Sequence, residues 1–181
     1  MESDDEMNIF EAIQKRREIT HYQQKPIAAE DLEQIVNAAY LAPAGNNLPS
    51  REFILVTKRN SLHYLSQATP FVPWLAEAQA AIVITGCPDI SKYWLQDSSI
   101  ASGFIWLSAV ELGIGAAFGA IYHSEDQEES ERRENYVREH LQIPTDRRIV
   151  AIIGLGYPEK EPPAKVLVPR ESIVHYDKFG K

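Results

Sequence analysis

A single cysteine, Cys87, stands in a chain of 181 residues, so no internal disulfide can form. It follows the apolar run 80–86, where a buried, inert thiol is the expected state and a nucleophile the lesser reading. Positive charge is scarce: 18 Lys and Arg against 26 Asp and Glu leave a formal net charge of −8. That balance disfavours general attraction to nucleic acid or to an anionic membrane. An anionic cofactor would therefore need a local basic pocket inside an unfavourable overall field. Long apolar runs are missing as well, since stretches such as 149–155 are far too short to cross a bilayer. The opening Met-Glu-Ser-Asp-Asp-Glu has no apolar segment of a secretory leader, and a cytoplasmic location is the expectation.

The usual catalytic constellations are also absent. The five histidines (His21, His63, His123, His140 and His175) show no i, i+4 pairing, which leaves a metal site without support. No Gly-x-Ser-x-Gly elbow and no Walker A loop is found. Gly113-x-Gly115 lacks the third glycine of a dinucleotide fingerprint and follows a helix where that fingerprint needs a strand.

What is present is the composition of a globular protein, 44% hydrophobic and 24% charged, long enough for one domain with a real core. Two short helices of mixed polarity open the chain, the first with Ile9, Phe10 and Ile13 on one face. Arg16 and Arg17 fall at its C-terminal end, where the helix dipole favours cations. A clearer amphipathic helix carries Leu32, Ile35, Val36 and Ala39 and is stopped by Pro43. Strands are expected over 53–57, 81–85 and 148–156, with a short helix over 62–68. Residues 93–112 read as a long helix that is apolar on more than one side, so that several of its faces must be buried. A turn and a short strand follow over 113–119. Ser124 and Gln127 form a capping box for a very polar helix reaching Leu141. The whole is expected to be one α+β domain over 1–181, with a disordered acidic start over 1–7 and a proline-containing tail over 158–181.

A chain without evident acids, bases or metal ligands still catalyses if a cofactor carries the chemistry. Arg16 and Arg17 offer fork-shaped cations for a phosphate. Ala42-Pro-Ala-Gly-Asn-Asn47 permits close backbone approach and supplies amide side chains. Residues 113–119 are small and leave backbone N–H groups accessible. Plain readings compete for each: an exposed arginine pair, an ordinary turn, and tight packing at a helix end.

In their order and spacing these segments resemble the nitroreductase family. Ile13-Gln-Lys-Arg-Arg-Glu-Ile-Thr-His-Tyr22 is similar to its R-R-S-x-R-x-F region, and 42–53 to its A-P-S-x-x-N-x-Q-P-x-x-F loop and strand. Gln96-Asp-Ser-Ser resembles the start of its central helix, Gly113-Ile-Gly115 the turn that ends it, and Gly154-Leu-Gly-Tyr-Pro158, Lys165 and Ile173-Val-His-Tyr176 its closing segment. The resemblance implies a three-layer sandwich, a mainly antiparallel sheet flanked by helices, in a homodimer with FMN at the interface. Arg16, Arg17 and Lys165 would hold the phosphate, with Glu18 and Thr20 beside them. Pro43, Ala44, Gly45 and Asn47 would approach the ring from the partner subunit, and backbone around Phe118 and Gly119 would meet its redox edge. NAD(P)H would be the electron donor and a nitroaromatic or quinone-type compound the acceptor, with no side chain acting as catalytic acid or base.

Four positions depart from that pattern. Glu18 replaces serine, Thr20 a cation, Leu167 a second basic tail residue, and Pro49 the loop glutamine. These changes imply weaker FMN binding than in typical members. They also leave open an alternative: a dimeric binding or scaffold protein of the same fold whose flavin site is weakened or lost.

Overall fold

The structure, a computed structural model, describes residues 7–180. The acidic start expected to be disordered over 1–7 lies, apart from Met7, outside the described residues. Among the described residues no helix is long and apolar enough to cross a membrane.

The elements run α1 (Ile9–Lys15), α2 (Ala29–Leu41), β1 (Arg51–Val56), α3 (Arg59–Leu65), β2 (Ala80–Gly86), α4 (Trp94–Glu111), β3 (Gly115–Ala120), α5 (Gln127–Leu141) and β4 (Arg148–Gly156). The strands form one sheet in the order β1-β2-β4-β3, antiparallel at every pairing. Helices cover both faces. Leu32 and Ile35 of α2 and Ile105 and Ala109 of α4 pack with Ile82, Ile84, Ile153 and Leu155 on one side. Leu62 and Leu65 of α3 and Val137 of α5 pack with Val83 and Ile152 on the other. Because both faces are covered, β2 is buried at every position, which is why the central strands read as unbroken apolar runs. The expected three-layer α+β architecture is the observed one.

Some local expectations change. One short helix opens the chain, not two, and Ile9, Phe10 and Ile13 are exposed. The residues after α1 run extended because sheet-edge groups claim their amides: Ile19 N–H donates to the Ala116 carbonyl (3.0 Å) and Gln23 N–H to that of Tyr157 (2.8 Å). α3 lies slightly earlier than expected. The cap of α5 is Asp126, whose carboxylate accepts the Glu129 N–H at 2.9 Å. Ser124 is instead held in a turn closed by His123, whose Nδ1 accepts the Asp126 N–H at 3.0 Å.

Cys87 is 1% exposed. Burial, reinforced by the nearby Glu52 carboxylate, pushes its thiol up to about 11. The native protein is expected not to react with a thiol-specific disulfide reagent at pH 8 and to release one equivalent on unfolding. Rapid reaction of the native state would mean the thiol is accessible after all.

Candidate cofactor site

α4 organises the site, and two segments are fastened to opposite ends of it. The first is the arginine turn. Asn8 caps α1 through its side-chain oxygen, which accepts the N–H groups of Phe10 and Glu11. The helix stops at Arg16, whose ψ of 127° turns the chain into the extended path described above. Trp106 of α4 fixes this corner twice. Its indole N–H donates to the Arg17 carbonyl at 3.1 Å, and the Arg16 guanidinium lies 4.7 Å from its ring centre, a cation–π contact. Arg17 donates through Nε to the carbonyl of Pro163 (3.1 Å), which brings in the tail two residues before Lys165. Arg16, Arg17 and Lys165 have no ion-pair partner among the described residues. The Arg17 guanidinium also donates to the carbonyls of Gln14 (2.7 Å) and Arg16 (2.8 Å). The adjacent Arg16 and Arg17 thus set positive charge at this corner of a chain of net charge −8, a feature an anion can use.

Alternation along the extended segment then separates its side chains. Arg17, with Ile19, Val110 and Gly115, lines a cavity of about 450 Å³. Glu18 and Thr20 line an adjoining groove of about 520 Å³ with His21 and Pro163. Glu18 and Arg17 thus line different hollows, which adjoin through Ile19, Glu161 and Pro162. Edge strand β3 borders this corner. Ala116 turns its carbonyl outward to Ile19, so by the period of the ladder Phe118 also directs its backbone groups to the open edge. Phe118 itself is half-buried. Gly119 is buried, and a Cβ there would sit 2.5 Å from Val72. Its lack of a side chain is thus explained by packing within this chain.

The second segment is the loop between α2 and β1, tied to the first turn of α4. Asp97, 3% exposed, accepts the Gly45 N–H on one carboxylate oxygen (2.8 Å) and the Ser50 hydroxyl on the other (2.5 Å). The Arg51 guanidinium donates to the Ala42 carbonyl and closes the base of the loop. Gly45 lies against Tyr93 so closely that a Cβ would come within 2.5 Å of its ring. Asn46 and Asn47 both take left-handed conformations, with φ of 54° and 53°, which asparagine tolerates better than most residues. Pro43 and Asn47 are exposed beside a cleft of about 400 Å³ that also includes Tyr40, Arg51 and Phe53. Ala44 and Gly45 are half-buried.

The residues expected to form the site thus fall into two groups. Arg16, Arg17, Glu18 and Thr20 share one corner, with Lys165 two residues beyond the tie at Pro163. Phe118 and Gly119 lie further along the β3 edge, beyond the Ala116 that meets this corner, and Gly119 packs against Val72 and Trp74. Pro43, Ala44, Gly45 and Asn47 belong to the other end of α4, since Asp97 and Trp106 are roughly 13 Å apart along the helix axis. Two residues that anchor the groups, Asp97 and Trp106, are not among the site residues expected from sequence. Asp97 did leave a signal: it is the single charged residue between Lys92 and Glu111, a lone acid in an otherwise uncharged, largely apolar helix.

The nitroreductase family model matches residues 13–70, the stretch that holds both the arginine turn and the loop. A relative from Archaeoglobus fulgidus, provisionally named an NADH dehydrogenase/NAD(P)H nitroreductase, is 39% identical over 153 residues, covering 82% of this chain and 84% of its own. Among solved structures, an FMN-dependent nitroreductase from Clostridium difficile is similar with a TM-score of 0.84 at 32% identity, over 93% of this chain and 98% of that one. A Bacteroides thetaiotaomicron protein, provisionally named like the Archaeoglobus relative, reaches a TM-score of 0.86 at 27% identity, over 94% and 98% of the two chains. The relatives and solved structures that share this fold are named as oxidoreductases. This chain belongs to the nitroreductase family.

Proposed function

We propose that the protein is an FMN-dependent oxidoreductase that takes reducing equivalents from NAD(P)H and delivers them to nitroaromatic or quinone-type acceptors as a homodimer. The observation that carries this reading is the gathering of the unpaired cations Arg16 and Arg17, with the Lys165 tail, beside the open edge of β3. The similarity to an FMN-dependent nitroreductase supports the choice of cofactor. FMN, when bound, supplies the two-electron chemistry between donor and acceptor. Arg16, Arg17 and Lys165 neutralise and hold its phosphate. The outward Phe118 backbone would offer hydrogen bonds to heteroatoms at the ring edge, and the loop of residues 43–47, brought by the second subunit, would shield the ring from water. No side chain is required as acid or base. Glu18 and Thr20, at the margin of the cation cluster, make FMN binding weaker than in typical members.

The homodimer reading is supported by the division of the site. On the outer face of α4, Ile100 and Phe104 are 43% and 41% exposed, and a side chain at Gly103 would meet nothing. With Leu107 they form a stripe at helical spacing on which a second α4 can lie closely. Two copies packed antiparallel about an axis near Gly103 bring the loop end of one helix to the arginine end of the other. Each subunit then completes the site of its mate. Phe104→Glu places a charge on the axis twice per dimer, so roughly 3 kcal/mol or more should be lost, over 100-fold in dimer dissociation. Light scattering should report a monomer, and flavin should be lost with the dimer. A flavin-loaded monomer would remove the two-fold site.

The test of the function is the visible spectrum of the purified protein, followed by anaerobic NADH or NADPH and then a quinone or nitroarene. Bleaching by the nucleotide and recovery with the acceptor is the expected result. Absence of flavin even after incubation with excess FMN would favour the alternative, a dimeric binding protein with a lost site.

A further inference from the structure

We infer that Asp97 is a positioning residue for flavin, acting through Gly45 and Ser50 on the loop of residues 43–50. The inference rests on the FMN reading above and adds a residue which that reading does not use. Asp97 is a carboxylate buried to 3% exposure with no cation paired to it among the described residues. Burying an unpaired carboxylate is costly unless hydrogen bonds replace its water. Here both oxygens are occupied, by the Gly45 N–H and the Ser50 hydroxyl, and the first turn of α4 adds a favourable dipole. What these bonds hold is specific: they grip the loop on either side of Asn46 and Asn47, the two left-handed residues. Ser50 is itself built into the sheet margin, its carbonyl accepting the Cys87 N–H at 2.7 Å.

The clasp therefore transmits the position of α4 and the sheet to the exposed Pro43 and Asn47. Without it, the turn keeps its own bonds, from the Asn47 N–H to the Ala44 carbonyl (2.9 Å) and from the Leu48 N–H to the Gly45 carbonyl (3.2 Å). Its only other tie to the body of the protein at Gly45 is packing against Tyr93, and the turn is freer to shift as a unit. A ligand that needs the loop in one geometry must then order it on binding, and affinity falls by that amount. Among the proposed flavin contacts Asp97 is bonded to Gly45 alone, through its backbone N–H. It is a positioning residue and not a catalytic one.

The experiment titrates FMN into flavin-free wild type and into Asp97→Ala, Asp97→Asn and Ser50→Ala, following the quenching of flavin fluorescence. Amide exchange of Gly45 to Asn47 is measured on the same flavin-free samples. Asp97→Ala is expected to raise the FMN dissociation constant at least tenfold and to speed exchange in the loop. Ser50→Ala should fall between it and wild type. Asp97→Asn should recover most of the affinity, because its carbonyl can accept the Gly45 N–H while its amide donates to the Ser50 oxygen. An Asp97→Ala protein that binds FMN as wild type does, whatever its melting temperature, overturns the inference and leaves the FMN reading intact. If Asp97→Ala fails to fold, Ser50→Ala decides, and unchanged affinity in it overturns the inference. Wild type that binds no FMN overturns both.

Discussion

Replacing Arg16 and Arg17 together with glutamine is expected to give a folded protein that no longer retains flavin through gel filtration. Each charge-assisted contact to a phosphate contributes about 1.5–3 kcal/mol, so losing two weakens FMN by roughly 3–6 kcal/mol, or about 10² to 10⁴ in dissociation constant. The core should tolerate the change, since both side chains are only half-buried and neither is in an ion pair among the described residues. The losses are local: the Arg16 contact with Trp106 and the Arg17 bonds to the Gln14, Arg16 and Pro163 carbonyls. Far-ultraviolet circular dichroism would confirm that, and the absorbance ratio of flavin to protein would give the occupancy. In wild type the same interaction should weaken with added salt, as exposed charge pairs do. A double variant that keeps stoichiometric FMN would show that these cations are surface features and that the phosphate lies elsewhere.

Glu134→Ala should have the largest effect on stability. This carboxylate of α5 is 2% exposed and is the hub between α5 and the start of β4. It accepts from Arg148 through both Nε and Nη2, from the Ile149 N–H at 2.9 Å and from the Ser130 hydroxyl at 2.8 Å. Burial alone would raise its pKa, but the bonds from Arg148, Ile149 and Ser130 outweigh burial and hold it below the usual carboxylate value. Truncation strands a buried backbone N–H and an arginine. Because the Arg148 side chain is 33% exposed and can hydrate, the loss should be about 3 kcal/mol, the lower end for a broken buried pair. A depressed folded pKa also fixes the sign with pH. The contribution is fully present above the unfolded value near 4.5 and is lost as pH falls through the lower folded value. Urea midpoints measured from pH 7 to pH 3 should therefore drop more steeply below about pH 4.5 in wild type than in the variant. Parallel curves would mean that Glu134 does not titrate between the two states.

The strands and the long helix were legible because both faces of the sheet are covered. Burial on two sides writes continuous apolar runs at 80–86 and 148–156, and a helix with an additional exposed apolar stripe reads as apolar nearly all round. The caps were less legible. Ser124 followed by Gln127 and Asp126 followed by Glu129 are equally good on paper, and the choice fell to Asp126 because the His123 ring claims the turn before it. The extended path of residues 16–28 could not be read from local pattern, since it is imposed by hydrogen bonds to Ala116 and Tyr157, about a hundred residues or more away.

By itself, the sequence determined the α+β class, the order of the elements from the Leu32 helix onward, and the candidate basic turn and small-residue loop. Each of these is a local or compositional property, set by periodicity, charge and the chemistry of neighbouring residues. Tertiary structure alone decided that Trp106 holds the arginines and Asp97 holds the loop, that Glu18 and Arg17 line different hollows, and that Gly119 makes room for Val72. These are contacts between segments far apart in the chain. No local pattern specifies them, because a buried carboxylate or an indole N–H is indifferent to the sequence distance of the group that satisfies it.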